Sequence, residues 1–251
     1  MGRERVFGLV EWRGAGERCA LREERLGGVR FLTVGVRRDA GFRTAWSLRR
    51  AARALRTHGV GQAVFPAGFA EYGPFAAQGV RAAETLPLRE AAAAAIALRA
   101  LCQSEIEPKR ATAALCASQV TRAYAAAAEK LAGEVRYLQL CTARGGWELS
   151  QSLRSRFGIA APVLCAPEGA SLTLDFDGSA ERAPQSGILL PLTGDALRVH
   201  YRPVWTQERG GEPEQLLAAL YASLALRAEE IEVTEVRWES APYSANSGVE
   251  R

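Results

Sequence analysis

Three cysteines, Cys116, Cys141 and Cys165, stand near the ends of three successive apolar runs, ATAALCA, VRYLQLC and PVLCA. Three thiolates gathered on one rim would suit a soft metal ion or supply a nucleophile. No CxxC pair or other local ligand spacing accompanies them, and cysteine is also a common small buried residue. The chain has two histidines, His58 at a predicted helix end and His200 on a strand, so neither a histidine-rich metal cluster nor a Cys–His pair is suggested. The expectation is structural cysteines and no metal. The polar residues just beyond the same runs are more informative: Ser118 and Thr121 after the first, Thr142, Arg144, Gly145 and Gly146 after the second. Glu84 closes an earlier run.

What positions these residues is a compact alternation of strands and helices. Ala111–Ala117 suits a strand buried on both faces. Ser118 offers a cap, and Val120, Tyr124, Ala127, Ala128 and Leu131 recur at helical spacing. Gly133 ends that helix and Val135–Cys141 is the next strand. Leu149, Leu153 and Phe157 mark a second helix, with Phe157 expected in the core. Gly158 and Ile159 form its ending and Pro162–Ala166 is a third strand. Two such crossovers imply parallel strands with right-handed connections, hence an α/β fold of Rossmann-like, three-layer, mostly parallel type. Such sheets take ligands beyond the carboxyl ends of their strands. That rule nominates Glu84-Thr85, Cys116–Thr121, Cys141–Gly146 and Cys165–Glu168.

A dinucleotide site needs glycines just after its first strand, so that backbone can approach the pyrophosphate. Ala117-Ser118-Gln119-Val120-Thr121 has none. At the second junction Arg144 follows a strand as an arginine does where a cofactor carries a 2′-phosphate, and Gly145-Gly146 lets a helix start close to an anion. The leading expectation is a protein binding a small anionic or nucleotide-like ligand at Glu84, Ser118, Thr121, Thr142, Arg144, Gly145 and Gly146, with no catalysis evident. The alternative is an oxidoreductase using NADP.

LTLDFDGS at residues 172–179 resembles the first motif of haloacid-dehalogenase-type phosphatases, where two aspartates two apart follow an apolar strand. That resemblance implies Asp175 as nucleophile and Asp177 as acid. It departs from the family at Ser179, where a threonine is usual, and the chain has no lysine after Lys130. Asp177-Gly178 is also a two-residue hairpin signal in its own right.

The flanking regions read differently. Val6–Trp12, Arg18–Arg25 and Val29–Val36 are three closely spaced strands, expected as an N-terminal antiparallel meander. In the helix Thr44–Thr57, Leu48, Ala51, Ala52 and Leu55 share one face, opposite Arg49, Arg50, Arg53 and Arg56 with Trp46 among them. That arginine face is a possible surface for an anionic partner, nucleic acid or protein, and makes an interaction module the third reading. Trp46 is expected to be covered by the meander. Gly61–Phe65 and Val80–Glu84 are strands, and a helix runs from Thr85 to about Ser104. Two hairpins, Ser171–Arg182 and Gly187–Arg202, a helix from Pro213 and a strand Glu230–Trp238 form an antiparallel C-terminal extension. The expected segmentation is 1–40, 41–168, 169–239 and a loose tail 240–251.

Of the 32 basic residues only Lys109 and Lys130 are lysines, and the net charge is +4. Residues 1–60 hold 14 Arg against 6 acids, so the excess positive charge is N-terminal. An odd cysteine count of five argues against a secreted disulfide framework. The longest apolar run, Ala91–Leu98, is far short of a membrane span. The expected location is the cytoplasm, with no membrane partner; oligomeric state is not legible.

Overall fold

The computed structural model describes residues 5–14, 21–38, 42–180, 187–202 and 211–239. Cys19, the tail from Ser240 and part of the second predicted strand lie outside them. The chain divides into two compact units, one formed by residues 1–88 with 201–232, the other by 89–200 with 233–251. The strand series expected to make one core over 41–168 is therefore shared between two sheets. Each carries only part of it.

The first unit is built on β1 (Val6–Arg13), β2 (Leu21–Leu26), β3 (Val29–Arg37), β4 (Gln62–Val64) and β5 (Arg81–Ala82), in the order β2-β3-β1-β4-β5. The expected meander is corrected here. β2 and β3 do form an antiparallel hairpin, but β3 lies parallel to β1, with Val6 opposite Arg30 and Arg13 opposite Arg37. β1 also pairs in parallel with β4, and β4 with β5. The physical reason is burial: Phe7 to Val10 are buried without alternation, as a central parallel strand requires, whereas β2 is mostly exposed and holds the edge. Helix α1 (Phe42–Thr57) lays Leu48, Ala51, Ala52 and Leu55 on Val10, Leu32, Val34 and Ala63. Gly8 is required at this contact, because a Cβ there would stand 2.8 Å from the Ala63 Cβ and 2.9 Å from Leu55. The opposite sheet face, bearing Phe7 and Leu9, meets the segment that opens α7 (Pro213–Ala222): Gly211 lies against Val64 and Leu9, and Gln215 accepts from the Phe65 N–H. The short α2 (Gly73–Ala76) adds Phe75 to an aromatic group with Phe65, Phe69 and Tyr72.

The second unit contains α4 (Ala93–Gln103), β6 (Thr112–Ala117), α5 (Arg122–Ala132), β7 (Tyr137–Thr142), α6 (Gly146–Phe157), β8 (Val163–Leu164), β9 (Leu172–Asp175) and β10 (Ile188–Pro191); the short α3 (Leu86–Ala91) precedes them. Its sheet runs β10-β9-β6-β7-β8 and every pairing in it is parallel. The two predicted C-terminal hairpins are corrected by this order. β9 lies beside β6 and β10, both parallel, so Asp177-Gly178 makes a turn, with Gly178 at φ +81°, but no hairpin. The antiparallel element of the extension is instead β11 (Leu197–Tyr201) with β12 (Val233–Trp238), where the Glu239 N–H reaches Ala196 and Thr234 reaches His200.

α5 and α6 form where the spacing predicts them. Leu131 and Leu153 are wholly buried, and the Tyr124 hydroxyl donates to the Leu115 carbonyl at 2.8 Å. Phe157 departs from expectation at 46% exposed, with the Arg156 guanidinium over its ring. It is the last residue of α6, before the left-handed Gly158, so its side chain falls outside the core that Leu153 fills.

Candidate functional site

Order reverses in the second sheet between β6 and β9: β7 and β8 follow β6 on one side, β9 and β10 lie on the other. That is the switch point of a Rossmann-like sheet, and the connections leaving β6 and β9 diverge there. The structure brings six of the seven predicted ligand residues to this rim. Glu84 is not among them; it belongs to the first unit.

At the first junction, between β6 and α5, the protein's own side chains occupy the available groups. Asp177, just past β9, accepts from the Ser118 backbone N–H at 2.8 Å and from the Ser118 hydroxyl. A carboxylate thus sits where an external anion would meet that loop. Burial pushes the Asp177 carboxyl up, but the hydrogen bonds from Ser118 and Ser179 outweigh it and hold the group below its ordinary value. Thr121, rather than Ser118, caps α5 by accepting from the Tyr124 N–H at 3.1 Å. A dinucleotide laid across this junction would have to displace Asp177.

The phosphatase-like aspartates are engaged in the same way. Asp175 is buried at the end of β9, and its two oxygens accept from the backbone N–H groups of Gly178 and Ala180 at 3.0 and 3.3 Å. Both carboxylates hold turns together, which is a sufficient reason for their presence.

The second junction, between β7 and α6, is different. The Val120 N–H and the Thr142 hydroxyl both donate to the Arg144 carbonyl, which fixes the loop. Gly145 has φ +80°, a left-handed conformation that a side chain would strain. A Cβ on Gly146 would stand 2.7 Å from Thr142 Cγ2 and 3.0 Å from Val163 Cγ1, so only glycine lets α6 start this close to β7 and β8. No side chain caps the helix at Gly145. The Arg144 side chain is exposed and has no ion pair among the described residues. Trp147, which sequence reasoning passed over, is 67% exposed in the first turn of the helix. Its signal was available: Leu149 and Leu153 define the buried face, and Trp147 is off it. Glu148 adds a negative charge to the same turn and partly offsets the helix dipole.

Of the three cysteines, Cys116 and Cys141 are in-register neighbours on adjacent strands, both buried, packed with Ala114 and Ala170. The hydrogen bond Cys116 gives to Cys141, together with burial, pushes the Cys116 thiol far up. Cys165 is exposed beyond β8 and does not join them. Among the described residues no group of three metal-ligating side chains occurs.

Glu84 lines a cavity of about 510 Å³ in the first unit, with Arg5, Gln62, Pro87 and Tyr221. A neighbouring hollow of about 640 Å³ shares Arg5, Phe7 and Gln62 and adds Arg30 and His58. Arg30 there is committed to Glu23 through two hydrogen bonds. Trp46 is 54% exposed on α1 and is not covered by the N-terminal strands; β1 and β3 find their apolar surface in the buried face of α1. Arg49, Arg50, Arg53 and Arg56 are all exposed, and Arg50 lies over the Trp46 ring at 5.4 Å.

No helix among the described residues is long and apolar enough to cross a membrane. No protein-family model and no curated protein matches the chain. Among solved structures, similarity extends to the catalytic subunit of M. jannaschii aspartate transcarbamoylase, at 8% identity, TM-score 0.27, and 68% of this chain over 60% of that one. It extends also to a shikimate 5-dehydrogenase-like protein, at 11% identity, TM-score 0.26, and 74% of this chain over 70% of that one. A putative aspartate carbamoyltransferase from Trypanosoma cruzi aligns at 12% identity and TM-score 0.28, with 88% of this chain over 80% of that one. The chain thus spans less than two thirds of the first of these, and all three likenesses are loose. The fold assignment rests on the strand order itself: a Rossmann-like α/β protein.

Proposed function

We propose that the protein binds a small anionic, nucleotide-like ligand at the junction of β7 and α6. The observation that carries this reading is a helix start without a side-chain cap at the rim of an all-parallel sheet, flanked by the unpaired Arg144 and the exposed Trp147. A phosphate would meet the first-turn N–H groups of α6 and the Arg144 guanidinium, and a base would stack on the Trp147 indole. Ser118, Thr121 and Thr142 support the site by fixing its loops, since their own hydrogen bonds are already made within the protein. The reading is one of binding, with no reaction step assigned. Its setting would be the cytoplasm, in keeping with four described cysteines that are all free thiols.

Calorimetric titration with AMP, ADP, NADP and inorganic phosphate tests the proposal. At least one nucleotide should bind, phosphate should compete, and Arg144→Ala should weaken binding by about 1.5–3 kcal/mol, the range for a lost hydrogen bond to a charged group. Trp147→Leu should weaken nucleotide and leave phosphate unchanged. If none of the four ligands gives heat or raises the melting temperature, the reading is wrong.

A further inference from the structure

A second surface, independent of the β7–α6 junction, stands out on α1. From Phe42 to Thr57 the helix carries five arginines, Arg43, Arg49, Arg50, Arg53 and Arg56, and no acidic residue. All five are exposed, and none has an ion pair among the described residues. Three arginines on the sheet of the same unit are used differently: Arg13 and Arg22 pair with Glu11, and Arg30 pairs with Glu23. The helix therefore concentrates cations three and four residues apart, which repel one another in the free protein.

Trp46 adds a feature that a merely solvated face does not need. It is more than half exposed, on the polar side of a helix whose core is completed by Leu48, Ala51, Ala52 and Leu55. Its indole already carries the Arg50 guanidinium on one face. At 1.5 Å of rise per residue, Arg43 to Arg56 covers about 20 Å of helix axis, enough for several consecutive phosphates. A row of guanidinium groups along a backbone, with one aromatic ring for stacking, is the arrangement that engages single-stranded nucleic acid without reading its sequence.

We infer that the exposed face of α1 is a binding surface for single-stranded nucleic acid, with Arg43, Arg49, Arg50, Arg53 and Arg56 neutralising phosphates and Trp46 stacking a base. The polyanion is identified by charge complementarity and by the ring; a helix that lies on an anionic membrane sinks its apolar face into the lipid, and that face of α1 is already packed in the core.

The test is fluorescence anisotropy of a labelled single-stranded oligonucleotide on the full chain at increasing salt. With five phosphates neutralised, the logarithm of the affinity should fall with the logarithm of salt at a slope of about −3.5. A quadruple Arg49→Gln, Arg50→Gln, Arg53→Gln, Arg56→Gln variant should lose the binding and keep its melting temperature, because glutamine preserves helix propensity at exposed sites. Trp46→Leu should weaken binding about tenfold and leave the slope unchanged. Absence of binding at low salt overturns the inference. So does binding that survives the quadruple variant, and so does equal binding to phosphatidylserine vesicles that ignores Trp46→Leu.

Discussion

Two neighbouring junctions on one sheet rim differ in what the chain has done with them. At β6–α5 the serine and the threonine are both engaged: Thr121 caps the helix, and Asp177 reaches over to take the Ser118 N–H and hydroxyl. At β7–α6 two glycines bring the helix start against the strands, and no side chain caps it. Strand order alone nominates both places equally. The difference teaches that strand order alone does not make two tips equivalent, because the protein's own oxygens can fill one and leave the other uncapped. Backbone N–H groups must find partners in either case.

The comparison can be broken at the helix that carries the open junction. Leu153 anchors α6 from full burial, so Leu153→Ala should cost about 2–5 kcal/mol in urea denaturation. Phe157→Ala, four residues on and half exposed, should stay within about 0.5 kcal/mol. Equal effects would mean that the helix is seated differently from the way its glycines imply.

A smaller effect is expected at the junction itself. Gly146→Ala places a Cβ 2.7 Å from Thr142 Cγ2, and should cost about 1–3 kcal/mol as the helix start lifts away. Nucleotide binding should fall with it. Stability lost without any change in binding would separate the glycine from the proposed site.

The closed junction offers the smallest effect and the sharpest contrast. Asp177→Ala removes an exposed, charge-assisted contact and should cost about 1 kcal/mol after solvent screening. The folded carboxyl lies below its ordinary value of 3.8, so its contribution is present above that pH and lost as the pH falls through the lower folded value. The wild type and the variant should accordingly converge in melting temperature as the solution is acidified below about 3.8, the ordinary carboxyl value. With the carboxylate gone, Ser118 should also accept added phosphate, making the first junction resemble the second. No gain in phosphate binding would show that glycine, and not vacancy, decides which tip is open.

Much of the second unit was legible because its signals are local. β6, β7 and β8 are short apolar runs, Leu131 and Leu153 sit at helical spacing, and Gly145-Gly146 marks a close helix start. What the residues do not state is which strands become neighbours. β9 crosses to the far side of β6 after a connection of a few residues, with no helix to announce a parallel crossover, and Asp177-Gly178 carries a hairpin signal that the structure uses for a turn alone. Locally Asp177 reads as a catalytic acid or a turn residue, and its role as the partner of Ser118 from the adjacent strand has no local trace. In the N-terminal unit the clue was present and outweighed by spacing. Phe7 to Val10 is continuously apolar, the mark of a strand with neighbours on both sides, while β2 carries Arg22, Glu23, Glu24 and Arg25 as edge strands do.

The discontinuity of the first unit has a consequence in time. Its sheet comes from the first 88 residues, but the face bearing Phe7, Leu9 and Val64 is met by Gly211 and α7, and the Arg5 guanidinium and the Phe65 N–H donate to the Ala222 carbonyl and the Gln215 side-chain oxygen. As the chain leaves the ribosome, that apolar face waits uncovered while more than a hundred intervening residues are made, and these belong to a sheet of their own. The five strands of the second sheet, β6 to β10, are by contrast all made before α7, and only β12 reaches that unit later. The amino-terminal sheet is the part exposed to misassembly and to chaperones in the interval. Chains that end before residue 211 should, once released, be more protease-resistant across β6 to β10 than in the first unit.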